Sequence, residues 1–222
     1  MKNLFYLFIL FISLISCEDK HKKDTDTNIY YSKYLDIYNS YDSLGTEATI
    51  NLLDEYISEF PNAQKAYIFK AWILANDNKI DKIDDIFIKA LKYDSTNAEV
   101  YMYWASLLLK DSNNIKKAER INKVGLRFDK TNLELLNNEI WIELFKNNNS
   151  KAYLFSTKLI DTDTTKNYRY YRTAAISSLA IDNDSLYTLY FESAKNNGLI
   201  DTLNIKEFFL KKGVFNLYNK LK

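Results

Sequence analysis

The feature that most restricts this chain is an internal period of about 34 residues. Ala71 lies 34 residues before Ala105, Ala90 lies 35 before Gly125, and Asp94, Asp129 and Asp163 recur at intervals of 35 and 34. A period in that range marks stacked supersecondary units, each too small to bury its own apolar face. Within each period two apolar stripes at i, i+3, i+4, i+7 spacing are split by a short polar loop. Asn76-Asp77-Asn78-Lys79 is one such loop, and Lys110-Asp111-Ser112-Asn113-Asn114 is another. Each unit therefore reads as a helix, a turn and an antiparallel helix. Composition agrees, because 4 glycines and 1 proline in 222 residues leave few turn residues for hairpin-joined sheets. The expected class is all-α.

The residues that carry the period resemble the tetratricopeptide repeat family. Its pattern places large residues at positions 4 and 11, small ones at 8, 20 and 27, an aromatic at 24 and proline at 32. Residues 64–97 offer Tyr67, Ala71, Leu74, Ile83, Phe87, Ala90 and Ser95 at those places. Residues 98–132 follow with Tyr101, Ala105, Leu108, Ala118, Asn122, Gly125 and Lys130 after one inserted residue, and residues 30–63 close on Phe60-Pro61. Residues 133–166 and 167–199 are carried by Leu136, Ile140 and Ala152, and by Tyr170, Ala174, Phe191 and Ala194. The resemblance implies a right-handed α-solenoid of about five helix pairs over residues 29–222. Residues 202–212 and 214–221, around Gly213, would form a C-terminal capping pair.

The resemblance also implies a concave groove lined by positions 2, 5, 9 and 12 of each first helix, which in the family binds a peptide or partner helix. Carried over, the candidate partner-binding residues are Lys65, Ile68 and Trp72, then Met102, then Asn137 and Trp141, then Tyr168 and Tyr171. Ala75, Glu99, Ser106, Leu109, Glu134, Leu144, Ala175 and Ser178 stand at groove positions as well. Trp104, at position 7, reads as core. The Lys/Asn clamp with which some members hold a C-terminal carboxylate is absent from these places.

The N-terminus carries an address. Lys2 precedes an apolar run from Leu4 to Ile12, too short to span a bilayer, and Leu14-Ile15-Ser16-Cys17 follows. That order resembles a bacterial lipobox, which implies a signal peptide over 1–16 and lipidation of Cys17, the chain's single cysteine. Residues 17–28 read as a flexible polar linker. Glu18-Asp19 resembles the surface-export tag of Bacteroidetes lipoproteins. The expected location is the cell envelope, anchored by lipid at the outer membrane in either leaflet.

Chemistry is scarce. The single histidine, His21, lies in the linker, so no imidazole is expected in a structured site. Acids such as Asp81, Asp84, Asp85, Glu134, Glu139 and Glu143, and the loop pairs Asp161/Asp163 and Asp182/Asp184, are accounted for by helix dipoles and caps. Asp161-Thr162-Asp163-Thr164-Thr165 lacks the glycine and distal acid of a calcium loop. No enzyme activity, cofactor or metal is expected. Loss of residues 1–16 removes Lys2 and no acid, which leaves 29 basic against 29 acidic residues and no electrostatic footprint for nucleic acid. The expected function is a membrane-anchored scaffold that binds another envelope protein or peptide. A carbohydrate-binding surface lipoprotein and an accessory lipoprotein of outer-membrane assembly are the alternatives.

Overall fold

The structure, a computed structural model, describes residues 30–199. The signal segment, Cys17, the linker and the expected C-terminal capping pair lie outside the described residues. Among the described residues the regular structure is helical, with no strand. After α1 (residues 30–39) come α2 (Tyr41–Glu59), α3 (Gln64–Asn76), α4 (Ile83–Leu91), α5 (Ala98–Leu108) and α6 (Ile115–Phe128). Then follow α7 (Leu133–Phe145), α8 (Asn149–Thr162), α9 (Tyr168–Ala180) and α10 (Asp184–Asn196). The chain divides into two compact units, Met1–Ile73 and Leu74–Lys222. Among the described residues no helix is long and apolar enough to cross a membrane.

In the first unit the helical course runs through Ser40, whose N–H reaches Asp36 C=O and whose C=O accepts from Leu44. The true break is at Gly45 (φ 75°, ψ −179°), a conformation open essentially to glycine alone. Thr49 Oγ1 then donates to Gly45 C=O at 2.7 Å and the second helix proceeds to Glu59. Leu53, Tyr56, Ala63, Ala66, Phe69 and Ile73 form the core of this unit, and Tyr30, Tyr34, Ile37 and Tyr41 pack against it. Tyr56 OH donates to Tyr30 C=O at 2.9 Å, and its pKa is pushed up, first by burial and then by Tyr30.

The second unit is built of hairpins. α5 pairs with α6, α7 with α8 and α9 with α10, and the pairs stack through α6 on α7 and α8 on α9. The first helices also meet one another, α5 with α7 and α7 with α9, a closeness that α6, α8 and α10 do not reach. The first helices thus make the inner layer. Ala90, Ala105, Ala118, Ala152, Ala174 and Ala194, the small positions of the repeat, are fully buried where helices cross. Trp104 is core, as its position implies. It stacks on Phe87 with centroids 5.5 Å apart, and its Nε1–H donates to Asp84 Oδ1 at 2.8 Å.

Asparagine and aspartate do the turning that glycine and proline do elsewhere. Asn78, Asn147 and Asp182 adopt φ of 57°, 61° and 59° just after α3, α7 and α9. The next N–H in each case, of Lys79, Asn148 and Asn183, reaches back to the C=O of Leu74, Glu143 and Ser178 at 2.9–3.0 Å. These are Schellman closures, with Asn or Asp tolerating the left-handed region by local hydrogen bonding.

Between pairs a second device recurs. Asp94, Asp129 and Asp163 accept from the N–H of Thr96, Thr131 and Thr165 at 2.9, 3.1 and 2.9 Å, and from the hydroxyls of the same threonines. Asn97, Asn132 and Asn167 then cap the following helix by accepting from Glu99, Leu135 and Arg169 N–H. The third copy carries one extra residue, Lys166, absorbed at φ 54°.

Candidate partner-binding face

The candidate residues fall on both units, and each group is described within its own. On α3, in the first unit, Lys65 is exposed with Nζ 5.8 Å from the Tyr31 ring centroid, and Ile68 is buried. Trp72 is 37% exposed, stacked on Phe69 at 5.9 Å and edge-on to Tyr41 at 5.7 Å. Their aromatic contacts describe an outer edge of the first unit's core.

In the second unit the inner layer holds a cavity of about 100 Å³. α7 supplies Glu134, Asn137, Asn138 and Trp141; α9 supplies Arg169, Arg172 and Thr173; Ser106 and Leu109 come from α5 and its C-terminal end. Its position follows from α7, which neighbours cover on every side so that residues 135–144 are all buried. A helix in that setting takes Leu135, Leu136, Ile140, Ile142 and Leu144 without difficulty. Its polar side chains need partners.

Most have them. Asn138 Nδ2–H donates to Met102 C=O at 3.1 Å, and Glu139 accepts from Asn122 Nδ2–H at 3.0 Å. Glu143, with a fully buried side chain, accepts from Lys151 and Asn148 at 2.6 Å each and from Lys146 at 3.4 Å. Burial pushes the Glu143 carboxyl up, but the donors and charges of Lys151, Asn148 and Lys146 outweigh it and hold the group below the usual range. Dipole and capping arguments explain neither Glu139 nor Glu143. Both are internal tethers between helices.

The exception on α7 is Asn137. The residue is 7% exposed and lines the cavity, and its Oδ1 accepts no hydrogen bond. Asn122 and Asn149 have unpartnered Oδ1 atoms too, but neither borders the cavity. Around Asn137 the charges are organised. Glu134 accepts from Arg169 through both guanidinium nitrogens, Nη1 at 2.9 Å and Nη2 at 3.3 Å, and from Tyr170 OH at 3.1 Å. Burial raises the Tyr170 pKa, with the Glu134 charge adding to it. Burial lowers the Arg172 pKa, and the like charge of Arg169 works in the same direction against Tyr168.

Of the residues marked by position, Asn137 and Trp141 line the cavity, Trp141 being only 7% exposed with its ring against Phe145 at 6.3 Å. Met102, Tyr168 and Tyr171 lie outside the lining, Met102 with its carbonyl accepting from Asn138 and the two tyrosines half-buried on α9. Asn138, Arg169, Arg172 and Thr173 were not singled out by sequence. The signal available was the Arg169/Arg172 pair at i, i+3 within an otherwise uncharged α9. Among the described residues no three His, Cys, Asp or Glu side chains come together as a metal site.

No protein-family model and no curated protein matches the sequence. Solved structures do. The chain is similar to the crystal structure of MamA, a helical repeat protein of tetratricopeptide type, with a TM-score of 0.57 over 72% of this chain and 92% of that one, at 12% identity. The MamA RS-1 ArsTM double mutant gives 0.58 over 75% and 93%, at 13% identity, and a further MamA crystal structure gives 0.56 over 77% and 91%, at 15%. The fold is that of a tetratricopeptide-like helical repeat.

Proposed function

We propose that this protein is a docking scaffold whose second unit holds a segment of another protein against the inner face made by α5, α7 and α9. The observation that supports the reading is the Asn137 cavity. A buried carboxamide oxygen left without a donor costs about 1–3 kcal/mol unless something supplies one, and here it opens on a space that an incoming group can enter. The acid at that space, Glu134, is engaged by Arg169 and Tyr170, so the reading is of binding without chemistry on the partner. The lipobox resemblance extends the proposal to location. Lipidated at Cys17, the scaffold is tethered to the outer membrane of the cell envelope, in the manner of Bacteroidetes lipoproteins, and its partner is an envelope protein.

Photo-crosslinking in intact cells tests the docking. A benzophenone amino acid at Ser106, which lines the cavity, and one at Tyr171, half-buried on α9, are compared with one at Leu154, 64% exposed on α8. One protein adduct at Ser106 and none at Leu154 is expected; equal adducts at both, or none at Ser106, refute it, and an adduct at Tyr171 marks how far the docked segment extends. Labelled palmitate incorporated by the full chain and lost with Cys17→Ser tests the tether.

A further inference from the structure

The outer layer of the second unit carries a segregated charge that the near-zero total of the chain conceals. α6 holds five basic side chains, Lys116, Lys117, Arg120, Lys123 and Arg127, and one acid, Glu119, in a full chain of 30 basic and 29 acidic residues. Lys116, Arg120, Lys123 and Arg127 are all exposed. They stand at i, i+4, i+7 and i+11, so they form one stripe about 16 Å long on the water-facing side of the helix.

This arrangement works against the helix that bears it. Like charges three and four residues apart weaken a helix, and Lys116/Arg120, Arg120/Lys123 and Lys123/Arg127 are such pairs. Lys116 and Lys117 occupy the first turn, where no acid stands and where the positive end of the helix dipole repels cations. By contrast α4 opens on Asp84 and Asp85, and α10 on Asp184. Lys117 finds a partner in Asp84 of α4, and Lys123 in Glu119 at 2.7 Å. Lys116, Arg120 and Arg127 meet no acid among the described residues. A surface of closely spaced anions would relieve the repulsion along the whole stripe at once.

The neighbouring helix narrows the choice of surface. Through the Asp84–Lys117 pair α4 joins α6, and the exposed Asp85, Ile88, Lys89 and Lys92 add two cations for one acid. Ile88 is 50% exposed. Phe128, next to Arg127, is 47% exposed with its ring stacked on Tyr101 at 5.7 Å. Cations set among apolar tips suit a phospholipid surface, where the charges meet headgroup phosphates and the tips enter the edge of the acyl region. On a sugar–phosphate backbone the isoleucine would add nothing.

We infer that the exposed stripe of α6, with Lys89 and Lys92 beside it, lies on an anionic phospholipid surface. Arg120 and Arg127 take lipid phosphates with their planar donors, the lysines add charge, and Ile88 and Phe128 dip between headgroups. Contact there leaves the inner face of α5, α7 and α9 clear of the membrane. It requires neither a docked partner nor acyl chains on Cys17.

Flotation of the full chain with phosphatidylcholine vesicles, with and without phosphatidylglycerol, tests this. Binding to the anionic vesicles and not to the neutral ones, weakened by salt, is expected. Each basic side chain at an anionic surface contributes about a fivefold gain, so combining Lys116→Gln, Arg120→Gln and Arg127→Gln should lower affinity about tenfold or more. None of the three has a partner to lose among the described residues, and circular dichroism checks the fold. Combining Lys20→Gln, Lys22→Gln and Lys23→Gln removes the same charge from the linker and should cost much less. The apolar residues 4–12 are present in every preparation, so their own affinity for lipid cancels in the comparison. Equal binding to neutral and anionic vesicles, or undiminished binding by the α6 variant, overturns the inference, and the first of these needs no variant at all. An equal loss in the linker variant overturns the assignment to α6. Retention of soluble polyglutamate or polyphosphate through the stripe, with no binding to vesicles, would make the occupant an acidic polymer and overturn the lipid. None of these outcomes bears on the inner face, which the crosslinking experiment tests separately.

Discussion

Gly125 offers a direct test of how closely the helices of the second unit approach. On α6, a β-carbon at this position would lie 2.9 and 3.1 Å from the Leu135 methyls of α7 and 3.0 Å from Tyr101 Cβ of α5. Ordinary carbon contacts are about 3.5–4.0 Å. Leu135 is fully buried, so its methyls have no open side to retreat to, and a β-carbon moves only with its backbone. Overpacking of this kind costs about 1–3 kcal/mol. Against it, replacing a mid-helix glycine by alanine gains up to about 1 kcal/mol in helix propensity and unfolded-chain entropy. The net expectation for Gly125→Ala is a loss of about 1 kcal/mol, or about 2–4 °C in Tm for a chain of this size. Urea denaturation followed by far-UV circular dichroism measures it. The decisive arm is a double-mutant cycle with Leu135→Ala, itself costing about 2–5 kcal/mol. In that background two of the three close contacts are gone, and Gly125→Ala should be neutral or stabilising, with a coupling of about 1 kcal/mol. A Gly125→Ala protein that is more stable than the parent, with additive effects in the cycle, would refute the idea that this glycine is a contact requirement.

Further expectations can be checked on the same preparation. Trp141→Ala should cost about 3–5 kcal/mol by denaturant titration, as for a buried tryptophan, whereas Trp72→Ala, part exposed on α3, should cost less than half as much; equal losses would contradict the burial difference. Glu143→Gln should lose about 1–3 kcal/mol, since the lysines left behind remain hydrated and only charged hydrogen bonds are lost. Because Glu143 is held below its ordinary value, its contribution is complete above the unfolded pKa of about 4.3 and drains away as pH falls through the lower folded value. The acid limb of Tm against pH should therefore be shallower in Glu143→Gln, and an unchanged limb would contradict the assignment. Asp163→Ala should cost about 1–3 kcal/mol by removing the acceptor of Thr165 and Asn167 N–H groups at a buried site, and Asp94→Ala, at an exposed copy of the same loop, should cost less.

Most of the repeat was legible. The unit boundaries read at 64, 98, 133 and 167 coincide within one residue with the starts of α3, α5, α7 and α9. They were legible because small residues must recur where helices cross, and Ala71, Ala90, Ala105 and Gly125 are those residues. The cavity was harder. Stripe counting assigns polar residues to the wet side of a helix, an assumption that fails for α7, where Asn138, Glu139 and Glu143 face neighbours. Arg172 escaped for the opposite reason, because a charged side chain beside a half-buried surface looks like solvent-facing polarity until the opposing helix is known. The shortage of glycine and proline did point to helices. It did not reveal that Asn78, Asn147 and Asp182 would serve as their terminators.

The Asp-x-Thr linkers between pairs close on themselves. Asp94 and Asp129 find their donors two residues on, and the cap that opens the next helix is the residue after that. Each seam therefore carries its turn and its cap in its own residues, to which the Asp94 seam adds one hydrogen bond from Tyr101 OH of α5 to Ser95 C=O. A stretch such as 98–132 can be copied or deleted between two such seams with the chain re-entering the same geometry on either side. Length in a protein of this kind is then cheap to change by duplication, whereas the composition of its inner face, on which helices from three successive units must agree, is not.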